Sequence, residues 1–296
     1  MDLYAPLLER DEPAIRATIR EFRRDHSAEE LFQSIARFAV LAYAPSQHAK
    51  HAMIACLSAW ELRDDLAGAW DDLLAECAVY AATSRQPWSE PPITDPPPLE
   101  RGQRGDIDEL RECVAALDRL RAERWLAKRY RDENFERDYF TVATDDFEDL
   151  GHKLIVAVTA WKLAKIFPPY PTLRTGIWEM TAYRGTARSP VRSDVIERMI
   201  ANRGDFESAH AVFLSDAALE TGDGEIIRRV MEDRQSCLSG QAGLPVLHFQ
   251  PYRLARDCGA YLKSFAVAKR LSDNRIIEAA KYNLDHAPSF EDFSFA

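Results

Sequence analysis

With 296 residues, 46% of them hydrophobic and 29% charged, the chain has the balance of a globular protein able to bury a large core. Its formal net charge of −10 argues against nucleic acid or an anionic membrane surface as the main partner. No apolar run reaches the roughly 18–20 residues that a membrane helix needs. The opening MDLYAPLLERDEPAIR lacks the basic and apolar parts of a secretory signal, so a cytoplasmic protein is expected.

Asp11-Glu12-Pro13 reads as a helix cap followed by a first-turn proline, and an amphipathic helix runs on to about His26, itself a surface residue at the helix end. Ser27 to Glu30 has the form of a capping box and opens a second helix, which Pro45 must stop. Ser46 can cap the next helix, which holds His48 and His51, and another follows through Trp70, Leu74 and Tyr80. Residues 86–106 contain Pro91, Pro92, Pro96, Pro97 and Pro98 and are denied helix or sheet. One long helix is expected from Ile107 to Tyr130 and a shorter one from Glu133 to Val142. Thr144-Asp145-Asp146 is expected to cap a helix that begins near His152 and ends at Pro168-Pro169. Leu173–Tyr183, Asp194–Asn202, Gly204–Gly222 and Glu225–Cys237 read as further helices, as do a stretch beginning near His248 and Ile276–Leu284. Short alternation and scattered β-branched residues leave no strand pattern. The expected fold is all-α, a single multi-helix bundle over 1–296 with a proline-rich loop at 86–106.

Two of these helices repeat one another. HAMIACLSAWEL from His51 aligns with HKLIVAVTAWKL from His152, matching Ile54 with Ile155, Ser58 with Thr159, Ala59 with Ala160, Trp60 with Trp161 and Leu62 with Leu163. Offsets of three, seven and eleven share one side of an α-helix, so histidine, isoleucine, hydroxyl and leucine lie together while the tryptophan points away. Weaker echoes begin at His210, in HAVFLSDAALET, and at His248, in HFQPYRLARDCG. Four histidines at matching places on four helices point to a shared centre. Neutral imidazole is the commonest side-chain metal ligand, and helical bundles build metal sites from inward side chains on facing helices. The candidate ligands are therefore His51, His152, His210 and His248, with His48 a possible fifth. A di-iron alternative uses the ExxH of Glu207 and His210 and the DxxH of Asp149 and His152, with Glu61 and Glu220 as further carboxylates. The five cysteines, Cys56, Cys77, Cys113, Cys237 and Cys258, form no CxxC pair and read as reduced thiols serving as small apolar residues. No GxSxG, GxxxxGK[ST] or GxGxxG occurs.

The pieces HAMIACLSAWEL, DLGHKLIVAVTAW, SAHAVFLSDAAL and VLHFQPYRLA, in that order, resemble the questin oxidase-like proteins, and together they stretch across about two thirds of the chain. The resemblance implies an all-helical fold, non-haem iron held by histidines from separate helices, and oxidative cleavage of anthraquinone-type rings in characterised fungal members. The family often has a lysine three residues after the last histidine; here that position is Pro251, followed by Tyr252.

The leading expectation is an Fe(II)-dependent oxygenase, with another divalent metal as an alternative occupant. Its partners would be O2 and a small aromatic or polyketide-like substrate. Phe213 and Tyr252 are candidate pocket residues, and Trp60 and Trp161 candidate apolar walls that equally suit packing between helices. The rival is a non-catalytic helical scaffold, suggested by GDFESAHAVFLSDAALETGD followed by GEIIRRVMEDR, although no period near 34 residues is sustained.

Overall fold

The computed structural model describes residues 3–44, 49–61, 63–64, 70–84, 95–98, 104–147, 151–183, 213–214 and 216–230. The described residues are helical or in turns and connections, with no strand among them, so the fold is all-α. No described helix is long and apolar enough to cross a membrane. Two compact units make up the chain: Met1–Pro92 with Pro251–Ala296, and Ile93–Gln250.

The first unit contains α1 (Tyr4–Glu9), α2 (Glu12–Asp25), α3 (Ala28–Leu41), α4 (Ala49–Glu61) and α5 (Trp70–Ser84). Local chemistry sets the early boundaries. The Asp11 carboxylate accepts from the Ala14 N–H at 3.0 Å, and Pro13 lies in the first turn of α2, where a missing N–H costs nothing. Ser27 and Glu30 form both bonds of the capping box of α3: the Glu30 N–H donates to Ser27 Oγ (3.1 Å) and the Ser27 N–H to Glu30 Oε2 (2.8 Å). Ile15, Ile19 and Phe22 put one apolar stripe of α2 into the core, and its charged side reaches α5 through Arg16–Glu76 and Arg23–Asp71, each 2.8 Å. In α4, residues 50–59 are buried on every side, as in a central helix. Cys56 on α4 and Cys77 on α5 are both buried. Their mutual hydrogen bond, together with burial, holds the Cys56 thiol well above its ordinary range.

The second unit contains α6 (Ile107–Ala116), α7 (Arg119–Arg129), α8 (Phe135–Ala143), α9 (His152–Leu163), α10 (Pro169–Met180) and α11 (Gly224–Val230). The long helix expected over Ile107–Tyr130 is two helices. Leu117 adopts φ 57°, the left-handed region; its N–H donates to the Val114 carbonyl (3.1 Å) and the Asp118 N–H to that of Cys113 (2.8 Å). This is the Schellman ending of a helix, with leucine where glycine is usual. The Asp118 carboxylate then caps α7, accepting from the Arg121 N–H at 3.1 Å. Leu117 and Leu120, which would continue the α6 stripe in an unbroken helix, are exposed, and the next buried set is Ala122, Trp125 and Leu126. Burial forces Cys113, on the inward side of α6, up to about 11.

A second correction concerns the start of α9. Thr144, Asp145 and Asp146 do not cap it; Gly151, at φ 80°, occupies the cap position and supplies no side-chain bond. Asp145 instead joins Arg111 (2.8 Å) and Arg229 (3.0 Å), and Asp146 joins Lys153 (2.7 Å). These aspartates tie the helix entry by ion pairs rather than by accepting hydrogen bonds from its free N–H groups. Helix α10 begins at Pro169, earlier than Leu173, because Pro169 and Pro171 fit the first turn, where no N–H is required. It packs along α9 and α7.

Candidate functional site

The two repeated helices carry their pattern into three dimensions. His51 is 8% exposed and His152 3%. Ile54 and Ile155, Ala59 and Ala160, and Ser58 and Thr159 are all buried, whereas Trp60 and Trp161 are half-buried. Both helices are buried all round from the histidine to the residue before the tryptophan, and exposure returns only at the tryptophan and the residue after it, so burial does not single out one face. Trp60 stacks on Phe32 of α3, with ring centres 4.7 Å apart, and the Arg63 guanidinium lies 4.4 Å from its ring centre. Trp161 meets Phe140 of α8 edge-on at 5.6 Å, with Lys165 Nζ 3.4 Å from its ring centre. Both tryptophans join neighbouring helices and are committed to packing. The Thr159 hydroxyl donates to its own helix, to the Ile155 carbonyl at 2.7 Å.

His152 opens α9 directly after Gly151, and this junction is crowded. A Cβ on Gly151 would stand 2.6 Å from Leu214 Cδ2, so glycine is required both for its φ and for the close approach of Leu214. Leu214 lies four residues beyond His210 in sequence, and Phe213 beside it is buried. Farther along the same helix, Lys162 Nζ meets Glu220 Oε2 at 3.2 Å. Leu214 and Glu220 therefore both meet α9 or its cap, the first at the residue before His152. Glu220, proposed above as a di-iron carboxylate, is engaged with Lys162, ten positions past His152. His210, His248, His48, Tyr252, Glu207 and Asp149 lie outside the described residues.

Two lysines flanking the histidines escape sequence reasoning. Lys50 is 2% exposed, and Lys153 is fully buried. Lys153 Nζ donates to Asp146 Oδ2 (2.7 Å) and to the Tyr183 carbonyl (2.9 Å), and the Tyr183 hydroxyl donates to Glu179 Oε1 (2.8 Å). A buried ammonium needs a carboxylate, and Asp146 answers that need. The signal in sequence was an aspartate seven residues ahead of a lysine within an otherwise apolar helix.

Among the described residues, no three His, Cys, Asp or Glu side chains form a group able to hold a metal. The described members of the expected ligand set are His51 and His152. Both present imidazoles withdrawn from water, each beside a buried lysine, and imidazole is a donor type that suits a nitrogen-ligated transition metal. His26, read as a surface residue, stacks on Phe22 at 4.1 Å and lies 3.7 Å from Glu30, away from any such group.

No family model, curated protein or solved structure matches the chain.

Proposed function

We propose that this chain is a non-haem iron-dependent oxidoreductase, related to the questin oxidase-like proteins, that oxidises a small aromatic or polyketide-like molecule with O2. Its ligands would be His51, His152, His210 and His248. The observation that carries the reading is the seating of Leu214, four residues beyond His210 in sequence, against Gly151, the residue before His152. The matching burial of His51 and His152 on repeated helices supports it further. Iron, when bound, would supply the activation of O2. The chain would supply imidazole nitrogens, aliphatic surroundings that keep water out, and positioning of the substrate.

Metal analysis of the full chain purified from iron-supplemented cells tests the reading. About one iron per chain is expected, removable by a chelator and absent from His152→Ala. About two per chain would favour the carboxylate-rich di-iron alternative. A folded protein free of transition metal would leave the helical scaffold as the better description.

A further inference from the structure

Away from the histidine helices, the contact of α7 with α10 encloses an unbalanced cation. Glu123 of α7 is 2% exposed and is held from three sides. The Trp178 Nε1–H donates to Glu123 Oε1, the Tyr170 hydroxyl donates to Oε2 at 3.3 Å, and Arg119 Nε lies 3.9 Å from Oε1. The guanidinium carbons of Arg119 and Arg174 lie 4.5 Å and 4.6 Å from the centre of the Trp178 ring. Two guanidinium groups thus share one ring, but of the two only Arg119 is ion-paired with the Glu123 carboxylate, leaving one positive charge in excess.

Arg174 bears that excess. It is 2% exposed, yet its Nε and Nη1 are buried with no hydrogen-bond partner among the described residues. The Trp178 face attracts the cation but leaves its N–H edges unmet. Arginine remains charged in proteins, and an unpaired buried cation opposes folding. A chain that keeps such a group where a methionine would pack gains something other than stability from it. The cluster also reaches water, because Trp178 is half-buried and the Arg119 side chain is 55% exposed.

We propose that Arg174 and Arg119 form a binding site for a single anionic oxygen group, a phosphate or a carboxylate, approached from the Arg119 side. Guanidinium donors match both groups in geometry, and the single excess charge fits a monoanion.

Calorimetric titration and thermal denaturation of the full chain would use inorganic phosphate and acetate, each against sodium chloride at equal ionic strength. Binding of one anion, with a higher melting temperature than in chloride, is expected, and the anion that binds identifies the group. Arg174→Met should weaken that binding by about tenfold or more, the worth of a charge-assisted hydrogen bond, and should melt higher than wild type without the anion. Arg119→Gln changes an exposed side chain, so it tests the site even if Arg174→Met fails to fold; a severalfold loss of affinity is expected. The proposal is overturned if neither anion differs from chloride, or if Arg119→Gln and every folded Arg174 variant bind as wild type does.

Discussion

A Cβ placed on Gly176 would stand 1.8 Å from the hydroxyl oxygen of Tyr139 and 3.1 Å from the Cα of Ala157. The same hydroxyl donates to the Leu173 carbonyl at 2.9 Å. Glycine on α10 thus lets α8, α9 and α10 close on one another, with a buried tyrosine seated in the space that a methyl group would fill. Gly176→Ala should destabilise the chain by about 2 kcal/mol through overpacking. Tyr139→Phe alone should cost about 1 kcal/mol for the lost hydrogen bond. Because Phe removes the hydroxyl oxygen, the nearest clashing atom, and leaves Cζ at 2.8 Å, the double variant should be more stable than the sum of the single losses, and urea unfolding of all four proteins measures that coupling.

Gly151→Ala meets two obstacles, a left-handed φ of 80° and the Leu214 methyl 2.6 Å away. A loss of about 2 kcal/mol is expected, of which Leu214→Ala should relieve the steric part while adding a cavity of its own. Since this junction sets the entry of His152, Gly151→Ala should also lower the iron content of the purified protein without removing a ligand. Full iron content in a measurably destabilised variant would separate the junction from the proposed centre.

Lys153 has no exposed surface, and Asp146, 2.7 Å away, is 14% exposed. Lys153→Met removes the cation but leaves the carboxylate in place. The loss should be about 3 kcal/mol, typical when one partner of a buried pair is deleted. An exposed pair is worth far less, so Arg228→Met, which breaks the Glu225 contact at 2.6 Å on a side chain 73% exposed, should shift the urea midpoint little.

Leu117 gives a prediction of opposite sign. It is 38% exposed and holds the left-handed position between α6 and α7, so its side chain contributes little packing and costs backbone strain. Leu117→Gly should raise stability by about 1 kcal/mol. A thermal melt showing no gain would mean that leucine makes up its strain by restricting the unfolded chain.

What could be read from the residues was what depends on near neighbours. The Asp11 cap and the Ser27–Glu30 box are contacts three residues apart, and both form as written. The one-sided burial expected of the histidine helices was not met, because both are enclosed all round and offsets of three, seven and eleven cannot show how many neighbours a helix has. The break at Leu117 was not legible, because leucine gives no sign of a left-handed backbone. Asp146 was misassigned for a related reason: an aspartate before a helix can accept from its N–H groups or face an ammonium, and only the burial of Lys153 decides between them. Arg174 and Glu123 were invisible as a pair, since charged residues in amphipathic helices ordinarily face water and nothing local marks these two as enclosed. The convergence of His51, His152, His210 and His248 stays a proposal, resting on the repeat and on the Gly151–Leu214 contact.

The buried thiols give the protein an internal stopwatch. Cys56 and Cys77 are closed within the first unit and Cys113 within the second. Cys56 and Cys113 are held in the unreactive protonated form as well. An alkylating pulse therefore marks Cys56 or Cys77 only while the first unit is open, and Cys113 only while the second is. Mass spectrometry of the labelled peptides would time the opening of each unit separately, with no engineered probe.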